Sequence, residues 1–249
     1  MSGHSKWATI KHKKGAQDKA RGKLFAKLIR QVEVAAREGG GDVNSNATLR
    51  TMFAKARESS VPLDTIERAI KRGTGELEGV RYEAISYEGY GPGGIAVIVE
   101  CLTDNRNRTG ADVRSTFSKS GGSMAEPGAV SWQFERKGVI SVDRSADEDS
   151  LTLAAIEAGA EDVQDLGDQW QVVCAPGDLT AVRTGLDQAG FASSGADLVM
   201  LASSTIEIAD EAEARKVLKL MDALEDNDDV QNVYSNFDIP DNILEAVSV

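Results

Sequence analysis

The sequence predicts an α+β protein of three domains: an N-terminal three-helix bundle with a basic arm, an interrupted α/β sheet domain, and an inserted ferredoxin-like domain. Three observations predict it. The apolar period is helical from Lys23 to Arg72 and turns strand-like after the linker Gly73–Gly79. Residues 138–202 read strand, helix, strand, strand, helix, strand, an order complete in itself. A last helix and strand then supply what the sheet begun at Tyr82 lacks. The resulting boundaries are 1–78 for the bundle, 79–135 with 205–249 for the interrupted domain, and 136–204 for the insertion. A chain of 249 residues with 41% hydrophobic content can fill cores of that number and size.

The first 20 or so residues are polar and basic without a helical period, and read as a mobile arm that orders on binding. From Lys23, residues Leu24, Phe25, Leu28, Ile29, Val32 and Ala36 share one side of a helical wheel. Lys23, Lys27, Arg30 and Arg37 share the other, and Gly39-Gly40-Gly41 ends the helix. A second helix starts near Asn46 with Leu49, Phe53 and Ala56. A third starts at Pro62, a good first-turn residue, and runs through Leu63, Ile66 and Ile70 until Gly73 stops it.

Tyr82–Glu88 and Ile95–Leu102 read as a hairpin around Gly89–Gly94. A helix over Gly110–Ser120 follows, capped by Asn107 or Thr109, and then a strand near Val130–Phe134. The insertion places strands at Val139–Val142, Asp162–Leu166, Gln169–Cys174 and Asp197–Leu201, with helices at Glu148–Ala158 and Leu179–Ala189. Helix Ala212–Leu224 and strand Val230–Tyr234 return to the interrupted domain.

The net charge of −12 conceals a sign split. Residues 1–72 carry 16 Lys and Arg against 7 Asp and Glu, a balance of +9. Residues 73–249 carry 12 against 33, a balance of −21. A basic extremity on an acidic body is the pattern of a localised polyanion-binding surface. The candidate contacts are Lys6, Trp7, Lys11, His12, Lys13, Lys14, Lys19, Arg21 and Lys23, continued by Lys27 and Arg30 on the first helix. Lysine and arginine would neutralise phosphates, while Trp7 and the histidines would stack on exposed bases. Arg106 and Arg108 lie near a helix start, where a phosphate clamp and salt bridging to the acidic body are both open readings.

Other chemistries lack their residues. Gly89-Tyr90-Gly91-Pro92-Gly93-Gly94 satisfies the letter of G-x-G-x-x-G, but the strand Ile95–Val99 follows where a dinucleotide site needs a helix. The only histidines, His4 and His12, fall in the arm, and no HExxH, GxSxG or P-loop occurs. The chain therefore reads as a non-enzyme without cofactor or metal. Cys101 and Cys174 sit singly in apolar runs and read as reduced core residues. The run Glu225-Asp226-Asn227-Asp228-Asp229 reads as a helix end and solvated turn, since it lacks the glycine and closing glutamate of a calcium loop. No stretch reaches membrane-helix length and no signal peptide is visible, so a cytoplasmic protein with no membrane partner is expected. The oligomeric state stays open.

These residues carry a resemblance. Gly3-His4-Ser5-Lys6-Trp7, Lys11-His12-Lys13-Lys14, Arg21-Gly22-Lys23, Gly39-Gly40-Gly41-Asp42 and the hairpin string from Tyr87 to Gly94 resemble the YebC/PmpR family of probable transcriptional regulatory proteins. Asp104-Asn105-Arg106-Asn107-Arg108-Thr109, Glu157 to Asp162, Leu224-Glu225-Asp226 and Val230 to Tyr234 extend the likeness over nearly the whole chain. The resemblance implies a three-domain bacterial cytoplasmic protein whose helical domain and adjacent clefts contact nucleic acid. It carries two functional descriptions. One is a DNA-binding transcription regulator, the reading placed first. The other is a ribosome- and ribosomal-RNA-binding translation factor that helps proline runs through peptidyl transfer, akin to a mitochondrial translational activator of cytochrome oxidase synthesis.

Overall fold

The computed structural model describes residues 17–247. It is a mixed α/β structure with eight α-helices and mainly antiparallel sheets among those residues. Helices α1 (Gln17–Gly39), α2 (Ala47–Glu58) and α3 (Leu63–Thr74) come first. Leu28, Val32, Ala36, Leu49, Ile66 and Ala69 form their common core. Helix α1 is described from Gln17 onward, so the last residues assigned to the arm are helical. Gln, Lys, Ala and Arg favour helix without any apolar stripe.

Asn46 caps α2, its side chain accepting the Leu49 N–H. Gly73 does not end α3. That role falls to Gly75 in the left-handed region (φ 83°). Gly73 instead allows α1 and α3 to touch, since a Cβ there would stand 2.4 Å from the Glu33 carbonyl oxygen.

Strands β1 (Glu83–Tyr90) and β2 (Ala96–Thr103) form the expected hairpin, closed by a short 3-10 turn at Pro92–Gly94. Helix α4 (Arg106–Lys119) starts four residues before the position expected from the sequence. Asn105, neither Asn107 nor Thr109, is its cap and accepts the Arg108 N–H. Strand β3 (Ser123–Ala125), too short for a period to register, pairs with β1. β1, β2 and β3 join the later β9 (Val230–Ser235) in a sheet of order β3-β1-β2-β9.

The strand expected near Val130–Phe134 is a turn up to Gln133, and β4 (Phe134–Asp143) begins only at Phe134. The Glu88 carboxylate explains this. It accepts the N–H groups of Gly128, Val130 and Ser131, donors a strand would need for its ladder.

Next come β4, α5 (Glu148–Ala158), β5 (Asp162–Asp165), β6 (Gln169–Cys174), α6 (Leu179–Gln188) and β7 (Ser193–Ala202). Their sheet has the order β5-β6-β4-β7, antiparallel throughout. Its core gathers Ile140, Leu151, Trp170, Val172, Val182 and Leu186.

The chain continues through β8 (Ile206–Glu207), α7 (Glu211–Glu225), β9 (Val230–Ser235), β10 (Phe237–Asp238) and α8 (Asp241–Val247). β8, β10 and α8 had no sequence counterpart. Helices α4 and α7 cover one face of the β3-β1-β2-β9 sheet, with Val97, Val99, Phe117, Val217, Met221 and Val233 in the core. Ala96, Ile98 and Tyr234 fill the other face against Val130 and Phe134, with Val199 and Met200 of β7 packed beside them. β2 is thus buried on both sides, which is why its sequence is a continuous apolar run.

Cys101 and Cys174 are free and buried as expected, and burial pushes the Cys101 thiol up to about 12. No described helix is long and apolar enough to cross a membrane.

Candidate nucleic-acid interface

The candidate residues divide by location. Lys6, Trp7, Lys11, His12, Lys13 and Lys14 lie outside the described residues. Lys19 and Arg21 fall within α1, but their side chains are outside the described part.

Lys23, Lys27 and Arg30 are described, and they do not form the open stripe expected of them. Their spacing of four and three residues puts them on one face of α1. That face meets the C-terminal end of α7. Lys23 Nζ donates to the Asp226 carbonyl at 3.0 Å and pairs with its carboxylate at 2.6 Å. Lys27 Nζ donates to the Glu225 carbonyl at 3.0 Å. Arg30 donates to the Asp228 carbonyl at 2.6 Å and to Asp229 Oδ1 at 2.9 Å, and its guanidinium lies 5.2 Å from the Tyr82 ring centre. The last carbonyls of a helix lack intrahelical donors and carry the negative end of its dipole, so cations are favoured there. A further ion pair, Lys55 with Asp197, ties α2 to β7.

The acidic run 225–229 is therefore not simply a solvated turn. Asp229 is 5% exposed and sits at the centre of a polar cluster. Besides Arg30 it accepts from Arg108 Nη2 at 2.7 Å and from the Thr109 hydroxyl at 2.8 Å. Burial works to raise the Asp229 carboxyl, but hydrogen bonds from Arg108 and Thr109, with the Arg108 charge, outweigh it and hold the pKa below the ordinary value. Arg108 pairs with Asp104 as well, at 2.7 Å. Its guanidinium is held firmly protonated by those two carboxylates. Of the two readings open for Arg108, salt bridging is the observed one.

Arg37, on the same helix, reaches Glu33 at 3.3 Å and the Val80 carbonyl at 3.2 Å.

Arg106 differs from all of these. It is exposed beside an open groove of about 650 Å³, together with Tyr87, Asn107, Gly110, Arg114 and Met124. Sequence reasoning missed Asp229, Tyr87 and Arg114. The last had a detectable signal, because Arg106, Gly110 and Arg114 recur at helical spacing on one stripe of α4. No group of three His, Cys, Asp or Glu side chains among the described residues is arranged to hold a metal ion.

The architecture is that of a mixed α/β protein whose helical N-terminal part is clamped by its cations to the acidic end of a sheet-covering helix. Residues 5–76 match the model of the TACO1/YebC protein N-terminal domain, and residues 82–237 match that of the TACO1/YebC second and third domain. The chain belongs to the TACO1/YebC family.

A probable transcriptional regulatory protein of Thermobifida fusca is 56% identical over 250 residues, covering 100% of each chain. One of Halothermothrix orenii is 54% identical over 251 residues, covering 100% of this chain and 99% of the relative. Among solved structures, a conserved hypothetical protein from Aquifex aeolicus superposes with a TM-score of 0.83 at 47% identity, covering 91% of this chain and 94% of that one.

Proposed function

We propose that this protein is a nucleic-acid-binding regulator of gene expression, a cytoplasmic DNA-binding transcription regulator of the YebC type, and not an enzyme. The observation that carries the reading is where the charge is left. Lys23, Lys27, Arg30 and Arg108 are taken up by the protein's own carbonyls and carboxylates. The concentrated positive charge remaining to the N-terminal part is residues 1–21, with six Lys and Arg against one acid. Lys6, Lys11, Lys13, Lys14, Lys19 and Arg21 would contact phosphates, and Trp7 and His12 would stack or hydrogen-bond beside them. The names of the relatives support regulation of transcription as the context.

The same reading takes the chain as three domains: 1–78, 79–135 with 205–249, and 136–204. The separate helical and sheet cores support this division. So does the β-α-β-β-α-β order with its β5-β6-β4-β7 sheet, the ferredoxin-like arrangement. The bulk of the acidic residues would face away from the polyanion and suppress indiscriminate coating.

The test is binding to duplex DNA, beside ribosome co-sedimentation, at matched salt. If six phosphates are contacted, duplex affinity falls on the order of 10³-fold between 50 and 200 mM salt. Substituting Lys11, Lys13 and Lys14 by alanine lowers the salt slope by about 2.7, or 0.9 for each phosphate no longer neutralised. A flat salt response, or a triple variant binding like wild type, would overturn the arm as the contact surface. Ribosome binding far stronger than duplex binding would move the target from DNA to ribosomal RNA.

A further inference from the structure

Helix α4 is a basic island in an acidic region. Between Arg106 and Lys119 it carries four Lys and Arg against the single Asp112, whereas residues 73–249 as a whole carry 12 against 33. Helical geometry divides the task. Arg108 faces the carboxylates of Asp104 and Asp229. Arg106 and Arg114 share the stripe with Gly110, eight residues and hence about 12 Å apart along the axis. No ion pair among the described residues involves either of them. Asp112 lies about 200° around the helix from Gly110 and leaves that stripe uncompensated.

Between the two arginines the helix lines the groove with Asn107, Gly110 and Ala111. A Cβ at position 110 would stand 3.2 Å from the Tyr87 hydroxyl, and glycine lets the ring lie close against the helix. That hydroxyl donates to the Arg106 carbonyl at 3.1 Å and fixes the ring. Ile85 and Met124 complete an apolar wall. The result is a trough with a cation at each end and an aromatic ring and thioether along its side.

We propose that this trough binds a short stretch of single-stranded nucleic acid, with Arg106 and Arg114 on its phosphates and a base against Tyr87 and Met124. The inference rests on the nucleic-acid reading above and gives it a second, separate contact surface. A duplex keeps its bases stacked and offers the trough phosphates alone, leaving the apolar wall unused. A single strand presents phosphates and unstacked bases together, and aromatic side chains recognise the latter. Two arginines whose backbone positions are about 12 Å apart along the axis suit two phosphates of one strand better than a lone phosphate. Asn107, at the rim, supplies an amide donor and acceptor for a base edge.

The experiment is fluorescence anisotropy on the full chain, with a labelled oligouridylate and with a labelled duplex. Wild type is set beside Arg106→Ala with Arg114→Ala, and beside Lys11→Ala with Lys13→Ala and Lys14→Ala. The trough variant is expected to bind the single strand about tenfold more weakly or worse. Its salt slope should fall by about 1.4, or 0.7 for each of two single-strand phosphates left without a cation. Its duplex affinity should stay near wild type. Photo-crosslinking a 4-thiouridine oligonucleotide should label peptides spanning β1, α4 and β3.

Unchanged single-strand affinity and slope in a trough variant that melts like wild type would overturn the proposal. So would crosslinks confined to other elements, or displacement of the oligonucleotide by polyglutamate as readily as by unlabelled RNA. The two readings fail separately. If the lysine variant binds everything like wild type while the trough variant loses the single strand, the arm falls and the trough stands. The converse removes the trough alone.

Discussion

Helices α1 and α4 are both basic at the level of sequence, yet they present opposite surfaces. On α1, Lys23, Lys27, Arg30 and Arg37 each meet a carboxylate or a carbonyl of the protein itself. On α4, among the described residues, only Arg108 does so, and Arg106 and Arg114 open onto a groove. The partners of α1 lie some 200 residues away in the chain, with separations of 198, 199 and 203 for the contacts at Lys27, Arg30 and Lys23. A run of like charge thus reports formal charge, while a ligand meets only what tertiary pairing leaves over. On α1 the charge holds the molecule together. On α4 part of it remains for a partner.

The strongest way to break that contrast is to remove the acid that consumes both helices' cations. Asp229→Ala leaves Arg30, Arg108 and Thr109 without their shared acceptor. Breaking a buried pair from one side costs about 3–5 kcal/mol, and the partial exposure of Arg108 argues for the lower end, about 3 kcal/mol. Urea unfolding measures it. A loss under about 0.5 kcal/mol, as at an ordinary surface site, would mean that α1 is not held by its charge.

Acid titration probes the same clamp without mutation. The Asp229 carboxyl has a folded pKa below its ordinary 3.8, so its contribution is fully present above that value and is lost as pH falls through the folded one. Glu88 behaves alike below its ordinary 4.5. Burial works to raise it, and the N–H groups of Gly128, Val130 and Ser131 more than offset this. Stability should therefore drop below about pH 4.5, and Glu88→Gln should flatten the upper part of that decline. A melting temperature unchanged between pH 5 and pH 3 would contradict both assignments.

The periodic parts of the fold were legible because they rest on local chemistry. Helix Glu148–Ala158 and strand Gln169–Cys174 fall where periodicity and flanking signals place them. Errors occur where a distant group overrides the local signal. Glu88, some 40 residues away, converts the run at Val130 into a turn. Gly73 reads as a stop because its real purpose, the approach of α3 to the α1 backbone, depends on a neighbour no local window contains. The site was legible in the same measure. Arg106 was visible as a cation at a helix start, while Tyr87 and Met124 join it only through the pairing of β1 with β3.

Gly73→Ala tests how closely α1 is packed against α3. A methyl group there stands 2.4 Å from the Glu33 carbonyl oxygen and 2.8 Å from the Ala36 Cβ, so α1 and α3 must separate. Overpacking of this kind costs about 1–3 kcal/mol. It outweighs the gain of up to about 1 kcal/mol from replacing glycine in a helix. A stabilised variant in thermal melting would show that the two helices are free to move apart.

The smallest effect sharpens the comparison most directly. Lys23 and Asp226 form a close pair, but the Asp226 side chain is 75% exposed. A double-mutant cycle with Lys23→Ala and Asp226→Ala should therefore give a coupling under about 1 kcal/mol, falling further in salt. The informative readout is nucleic-acid affinity in the same variants. If α1 spends this lysine on the protein itself, Lys23→Ala leaves duplex binding near wild type. Asp226→Ala, which frees an ammonium group beside the basic terminus, strengthens it slightly. The opposite pattern, with binding lost on Lys23→Ala and indifferent to Asp226, would place the lysine on a phosphate in the complex. The two helices would then differ in the free protein alone, with α1 exchanging its acidic turn for nucleic acid on binding.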